Sequence, residues 1–192
     1  MSQSTPDPDG PLTRIQVLAA MGITAVILLL VIQGWRLLGT PVMVPLNWSA
    51  TNLLLGIGLG LGITLSSGGI YRLWPAYQAS ADRYVLMVLQ PLIWPDIIWL
   101  GLLPGISEEL LFRGMLLPAF GLDGLGVLLS SLCFGVMHFS GLQQWPYVVW
   151  ASLVGAMLGA SAIATGSLLV PLVAHILTNI LSACLWKLRR SP

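Results

Sequence analysis

Long apolar stretches that contain almost no charge restrict this chain to one structural class. A helix that crosses a bilayer needs about 20 mainly apolar residues. Six stretches approach or exceed that length: 15–38, 49–65, 84–120, 125–139, 148–164 and 168–186. Only 8% of the 192 residues are charged, whereas soluble domains carry about 25%. We therefore predict an all-α, polytopic bundle of transmembrane helices that is integral to the membrane and surrounded by the lipid bilayer.

Three prolines leave the number of spans open. The stretch 84–120 is too long for one plain span and contains Pro91, Pro95 and Pro104. Because proline interrupts helices, this stretch forms either a short interfacial piece followed by one long helix or two shorter membrane segments. The first alternative gives about six spans, and the second gives seven.

The distribution of basic residues predicts an orientation if there are six spans. Both termini then lie on the same side of the membrane. The basic residues on that side are Arg14, Arg72, Arg83, Lys187, Arg189 and Arg190. Because cytoplasmic loops carry an excess of lysine and arginine, both termini are predicted to be cytoplasmic.

The chain divides into three parts. Residues 1–13 are polar and lack a long apolar run, which predicts a disordered tail. Residues 14–83 contain two transmembrane helices and an interfacial connection over 66–83. Glycines at every second position of 56–62 in the second helix allow another helix to approach closely. Residues 84–192 contain the remaining spans and nearly all ionisable residues at membrane depth.

The first candidate site motif is Glu108-Glu109-Leu-Leu-Phe-Arg113. Charged groups inside a membrane cost about 2.5–3.5 kcal/mol each and therefore indicate function. Since residues four apart share a helix face, Glu109 pairs with Arg113 and leaves Glu108 without that partner. An unpaired carboxylate in a dry site suits a general base. The structural alternative is that Ser107 caps a helix whose N-terminal dipole favours the two acids.

The two histidines of the chain belong to two further motifs in apolar stretches. Phe134 and His138 lie four residues apart near the end of one predicted span. His175 and Asn179 have the same spacing within the last span, so they share one helix face. Two histidines together with two acids, an arginine and an asparagine favour a buried polar site over separate packing residues.

A hairpin argument relates the depths of these motifs. The sequence midpoint between Glu109 and His138 falls at Asp123-Gly124, a pair that strongly indicates a turn. Residues at equal distances from an antiparallel turn lie at equal depth, so the two glutamates and His138 are predicted to be level. The same counting puts His175 nearer the opposite side, unless its helix is offset or its connecting loop dips inward.

Together the three motifs resemble the CPBP family, also called the ABI or CAAX-protease family, of intramembrane glutamate-dependent endopeptidases. The family pattern is Glu-Glu-x-x-x-Arg, Phe-x-x-x-His and His-x-x-x-Asn on successive membrane helices, and residues 95–187 contain all three. The catalytic residues that the resemblance implies are Glu108, His138, His175 and Asn179. The residues implied to support the site are Glu109, Arg113 and Phe134.

The resemblance also implies a mechanism. Glu108 and His138 would activate a water molecule, and His175 and Asn179 would stabilise the oxyanion of the tetrahedral intermediate. The enzyme would need no metal or other cofactor. Its substrate would be a membrane-associated peptide or protein, with prenylated CAAX peptides, which the eukaryotic relatives cleave, as one alternative.

Other functions are weaker alternatives. Members of the same family also act without catalysis in bacteriocin immunity, in scaffolding and in regulation of partner membrane proteins. The sequence contains neither His-Glu-x-x-His nor Glu-x-x-His, the patterns used by zinc proteases and diiron bundles. It shows no inverted repeat of the transporter kind, and it has no basic stripe for nucleic acid.

Overall fold

The computed structural model describes residues 12–39 and 43–190, which form eight α-helices and no β-strand. The helices are α1 (Arg14–Leu38), α2 (Ala50–Leu73), α3 (Pro75–Leu89), α4 (Ile97–Leu111), α5 (Leu117–Phe120), α6 (Gly124–Val136), α7 (Trp145–Thr165) and α8 (Leu169–Arg190). A π-helical turn (Phe112–Leu116) joins α4 to α5. The predicted all-α bundle is confirmed. Residues 1–11 of the predicted tail lie outside the described part.

Within residues 12–39 and 43–190, length and hydropathy identify fewer single helices able to span a membrane than the six segments predicted. Four helices are long and apolar enough to cross a membrane: α1, α2, α7 and α8. A fifth span results if α3 and the segment Trp94–Phe120, which meet at an angle of 108°, form one broken span. The predicted span 125–139 becomes α6, which has only 13 residues. The missing span is therefore a helix too short to cross by itself.

Prolines set the break between α3 and α4. Helix α3 ends at Leu89, directly before the segment that contains Pro91 and Pro95, because proline lacks the N–H that a helix interior requires. The connection predicted over residues 66–83 is itself helical and is divided between α2 and α3. The predicted division of the chain at residue 84 falls inside α3.

Both ends of the described chain contact the segment between α3 and α4. Arg14, at the start of α1, donates two hydrogen bonds to Asp96, with distances of 2.7 Å from Nε and 2.8 Å from Nη2. Lys187, near the end of α8, donates from Nζ to the Leu92 carbonyl at 2.5 Å. The start of α1 and the end of α8 therefore lie on one side of the bundle, in agreement with the six-span prediction.

The turn between α7 and α8 is sunk into the opposite side of the bundle. Leu168 N donates to Pro45 O, in the connection between α1 and α2, at 2.9 Å. In that connection Val44 N donates to Gly114 O at 3.3 Å. Gly114 lies in the π-helical turn, well before the connection between α5 and α6. The turn at 166–168 is therefore close to the level of Gly114, which brings His175 to the depth of the glutamates. Of the two alternatives that the sequence left open for His175, the structure shows the connecting loop that dips inward.

Helix α8 occupies the centre of the bundle, where α2, α4 and α7 pack against it. A Cβ added at Gly56 would lie 2.8 Å from Val173 Cβ, and one at Gly60 would lie 2.9 Å from the Ala174 carbonyl oxygen. Nothing lies within 4 Å of a Cβ at Gly58 or Gly62. The predicted close helix approach is confirmed for the two glycines that face α8, and it fixes the helix that carries His175 and Asn179.

Candidate active site

The three motifs meet in one cavity of about 130 Å³. Glu108 reaches it from the last turn of α4, and His138 reaches it from the turn that follows α6. His175 and Asn179 reach it from one face of α8. The hairpin argument from the sequence predicted Glu108 and His138 to be level, and the structure places both in the wall of this cavity.

Glu109 lies at the centre of the polar contacts beneath this cavity. Its carboxylate is completely buried, and its Oε1 accepts a hydrogen bond from Arg113 Nη1 at 2.6 Å. The same oxygen lies 2.8 Å from His175 Nδ1. The first of these contacts was predicted from the helical spacing. The second was not, because it depends on the register between α4 and α8.

Arg113 links the glutamates to α7. Its guanidinium is fully buried and also donates from Nη2 to the Gly155 carbonyl oxygen at 3.0 Å. A Cβ at Gly155 would lie 3.2 Å from both Arg113 Nη2 and Phe134 Cδ1. Glycine at this position therefore lets α7 approach closely enough to supply a backbone acceptor for the buried charge.

The Phe134 ring packs among three side chains of the motifs. Its centroid lies 4.3 Å from Arg113 Cζ, which is a cation–π distance. The ring centroids of His138 and His175 lie 4.9 Å and 5.7 Å from it. Phe134 thus separates the two histidines and covers the buried arginine, which accounts for a large aromatic residue at this motif position.

The hydrogen bond that His138 makes defines its tautomer. Nδ1 lies 2.9 Å from the carbonyl oxygen of Phe134, one helical turn earlier. A carbonyl can only accept, so Nδ1 carries a hydrogen, and in the neutral ring Nε2 is left as an acceptor. The spacing of four residues between Phe134 and His138 therefore leaves His138 with a basic nitrogen for the cavity.

Glu108 has the least satisfied carboxylate of the site. The residue is 8% exposed, and within the described chain its Oε2 accepts no hydrogen bond. This oxygen lies 3.9 Å from His175 Nε2. Because Glu108 lines the cavity, its carboxylate is placed to take a proton from a molecule bound there.

Two tyrosines complete the wall of the cavity, and reasoning from the sequence missed both. Tyr84 of α3 and Tyr147 of α7 stack with their ring centroids 4.6 Å apart. The rings lie 6.5 Å and 6.0 Å from the ring of His138. A tyrosine in an apolar stretch carries no spacing signal, so only the fold brings these two residues together.

The loop that carries His138 is tied to α3. Ser80 donates to Gln144 Oε1 at 2.5 Å, and Arg83 hydrogen-bonds to Gln143. Both glutamines lie in the short turn before α7. The position of His138 therefore depends on α3 as well as on α6.

The polar atoms of the site divide into bonded and unbonded ones, since Oε2 of both glutamates and Nε of Arg113 have no hydrogen-bond partner within the described chain. Within residues 12–39 and 43–190, no group of three or more His, Cys, Asp or Glu side chains is arranged to hold a metal ion. Glu109 is occupied by Arg113 and His175. The geometry offers proton acceptors and hydrogen-bond donors for acid–base chemistry.

Comparisons with known proteins agree with the motifs. Residues 90–181 match the family model described as type II CAAX prenyl endopeptidase Rce1-like. The uncharacterized protein YpbD of Bacillus subtilis (strain 168) is 28% identical over 129 residues, which are 67% of this chain and 66% of YpbD. The chain thus spans slightly less than two thirds of that relative. No solved structure gives a significant match. The family match covers all three motifs and confirms the resemblance predicted from them.

Proposed function

Because residues 90–181 belong to the Rce1-like family, we propose that the chain is an intramembrane endopeptidase that uses Glu108 and His138 to activate water. The reaction is hydrolysis of a peptide bond in a membrane-associated peptide or protein, and prenylated CAAX peptides are one substrate class to test. The proposal includes no metal and no other cofactor.

One observation carries this proposal. Glu108, His138, His175 and Asn179 come from three separate helices or their ends, and all four line the same cavity. A hydrolytic site needs a base and oxyanion donors within reach of one bound carbonyl. The cavity wall offers a carboxylate, two imidazoles and an amide for these roles.

The proposed water activation uses the two acceptors in different roles. Glu108 takes one proton as the water oxygen adds to the carbonyl carbon of the scissile bond. The hydrogen bond from Nδ1 to Phe134 O leaves Nε2 of His138 as an acceptor. Nε2 accepts a hydrogen bond from the second O–H of the water and so orients it. The proton held by Glu108 then passes to the leaving amine as the C–N bond breaks.

The proposed oxyanion site consists of Asn179 and His175. The Asn179 side-chain amide supplies N–H donors directly. His175 already directs Nδ1 to Glu109 at 2.8 Å, so it donates from Nε2 only when its ring carries both protons. In that form both ring N–H groups face carboxylates, with Glu109 Oε1 2.8 Å from Nδ1 and Glu108 Oε2 3.9 Å from Nε2. Glu109 thus acts as a positioning residue for His175.

The test is cleavage of membrane peptides by the purified full chain in liposomes. Glu108→Gln and His138→Ala are each expected to lower the rate by about 10²–10⁴-fold, the usual contribution of general base catalysis. The matched control is Asp123→Asn, which also turns an acid into an amide but retains a good helix cap on α6. It is expected to keep wild-type activity.

Two results would contradict the proposal. The first is cleavage by Glu108→Gln at the wild-type rate. The second is a wild type that cleaves none of the peptides and a Glu108→Gln variant that retains full biological function. The second result would favour the non-catalytic alternative, in which the chain acts in immunity, scaffolding or regulation of a partner membrane protein.

A further inference from the structure

A second cavity, which we call the polar pocket, lies between α2, α3 and α8 and has a volume of about 340 Å³. Most side chains in its wall can form hydrogen bonds. They include Thr64, Ser67, Tyr71, Asp82, Ser182 and Arg189. None of these residues belongs to the three motifs.

The polar pocket adjoins the cavity that Glu108 lines. Val85 of α3 and Ser182 of α8 line both cavities. Ser182 follows Asn179 by three residues and therefore lies on the same face of α8. These two side chains therefore lie where the polar pocket and the candidate active site meet.

A row of polar side chains runs along α8 and lines both cavities. His175, Asn179 and Ser182 line the catalytic cavity, and Ser182 and Arg189 line the polar pocket. The spacings of four, three and seven residues keep all four side chains on one helix face. The row thus extends from the candidate oxyanion site to the end of α8, on the side of the bundle where Lys187 bonds to Leu92.

The facing walls are polar as well. Thr64, Ser67 and Tyr71 follow one another at helical spacing on α2, and Tyr71 donates to Asp82 Oδ1 of α3 at 2.8 Å. Polar side chains within transmembrane segments nearly always face the bundle interior or a water-filled cavity. Three polar faces around one open space therefore indicate water.

The groove on the opposite side of the site has a different character. It has a volume of about 290 Å³ and reaches Glu108 and His138 from the side of α1. Its α1 wall is mainly apolar, with Val17, Ala20 and Met21 among its residues. Apolar side chains form no hydrogen bonds with water, so this groove is a poor candidate for the supply of water to the site.

We propose that the polar pocket is the route by which water reaches Glu108, and that water passes into the catalytic cavity beside Val85 and Ser182, which line both. This inference rests on the proposed function and deepens it, because each hydrolytic cycle consumes one water molecule in a site where Glu108 is only 8% exposed. The route itself can be tested without any cleavage.

The test measures labelling of introduced cysteines by a small charged methanethiosulfonate in liposomes that contain the full chain. The background carries Cys133→Ala and Cys184→Ala. Only a thiolate reacts, and it forms only where water solvates it. Ser182→Cys is therefore expected to label about tenfold faster than Thr24→Cys, in the α1-side groove, and than Leu54→Cys, on the exposed surface of α2.

A blocking pair tests the route directly. Gly68 lines the polar pocket and its neighbour Gly69 does not, and a Cβ at either position meets nothing within 4 Å. Gly68→Trp places a large ring in the pocket without a clash, so it is expected to slow labelling of Ser182→Cys by about tenfold, the inverse of the access advantage. Gly69→Trp is the matched control and is expected to leave the labelling rate unchanged.

The outcomes separate the route from the catalytic proposal. The route is wrong if Ser182→Cys labels no faster than Leu54→Cys, if Thr24→Cys labels faster than Ser182→Cys, or if Gly68→Trp and Gly69→Trp have equal effects. The route is supported if Ser182→Cys labels fast and only Gly68→Trp blocks it, whether or not the protein cleaves any peptide.

Discussion

At the scale of single residues, the two adjacent glutamates have opposite surroundings. Glu109 is bonded to Arg113 and His175 through one oxygen. Within the described chain, Oε2 of Glu108 has no hydrogen-bond partner. Of the two adjacent glutamates, Glu109 is therefore held by hydrogen bonds, whereas Glu108 is the one proposed to take part in chemistry.

This difference predicts opposite effects of the same substitution. Glu109→Gln leaves the buried Arg113 charge without compensation, which typically costs about 3–5 kcal/mol, and it should lower the unfolding temperature strongly. Glu108→Gln removes a poorly satisfied buried charge, so the unfolding temperature should stay the same or rise while cleavage is lost. Thermal unfolding in detergent checks both. Equal destabilisation by the two variants would contradict this assignment.

Metal chelation is a second test at this scale. We expect cleavage to continue at its full rate after prolonged treatment with a strong chelator, because the proposed chemistry uses only side-chain acids, bases and amides. The control is a zinc protease assayed in the same liposomes. Loss of activity on chelation, with recovery on addition of one metal, would replace the acid–base proposal with metal catalysis.

The site residues predicted from the sequence were those with helical spacing. The pair Glu109 and Arg113 follows from a separation of four residues, and the structure shows it. The bond between Glu109 and His175 and the stacking of Tyr84 on Tyr147 join different helices. Such contacts depend on the depth and rotation of packed helices, which spacing within one segment does not define.

At the scale of elements, the bundle depends on close approach to α8. A Cβ at Gly60 would meet the Ala174 carbonyl oxygen at 2.9 Å and the Ala174 Cα at 3.2 Å. Both are backbone atoms directly before His175, so relief requires a shift of α8. A Cβ at Gly58, about half a turn away on α2, would have nothing within 4 Å.

These neighbouring glycines give a matched prediction. Gly60→Val should destabilise the protein by about 1–3 kcal/mol, as overpacking does. It should also reduce cleavage, because the shift of α8 displaces His175. Gly58→Val should have little effect on either property. Unfolding temperature and cleavage rate, measured on both variants, provide the test. If Gly58→Val proves as harmful as Gly60→Val, close packing on α8 is not the cause.

Element boundaries were predictable where local chemistry decides them and unpredictable where packing does. Pro91 and Pro95 marked the break after α3. The glycine-rich stretch 56–62 indicated a close helix contact, but it did not identify α8 as the partner or Gly56 and Gly60 as the contacting pair. The short α6 was not foreseen, since the apolar stretch continues past the residue where the helix ends.

At the scale of the whole molecule, two contacts bring the chain ends together. Arg14 and Lys187 both bind the segment between α3 and α4, through Asp96 and the Leu92 carbonyl. The sequence predicted this arrangement only if six segments traverse the bundle. Length alone identifies four or five spans, so the contacts support a common side more directly than the hydropathy does.

The orientation in the membrane remains a prediction of the charge distribution. We expect a tag at either terminus to be accessible in inverted vesicles and protected in intact cells, because basic residues favour the cytoplasmic side. An epitope inserted near Asn47, in the connection opposite the termini, is expected to show the reverse pattern. Termini that are accessible from different sides would contradict the shared-side arrangement.

The short α6 has a consequence for the lipid around it. Thirteen residues extend about 20 Å, whereas the hydrocarbon core is about 30 Å thick, and the outer face of α6 exposes Leu125, Leu128 and Leu132. Such hydrophobic mismatch is accommodated by local thinning of the bilayer. Since His138 follows the end of α6, headgroups drawn toward that end would shorten the distance between the membrane surface and the cavity that His138 lines.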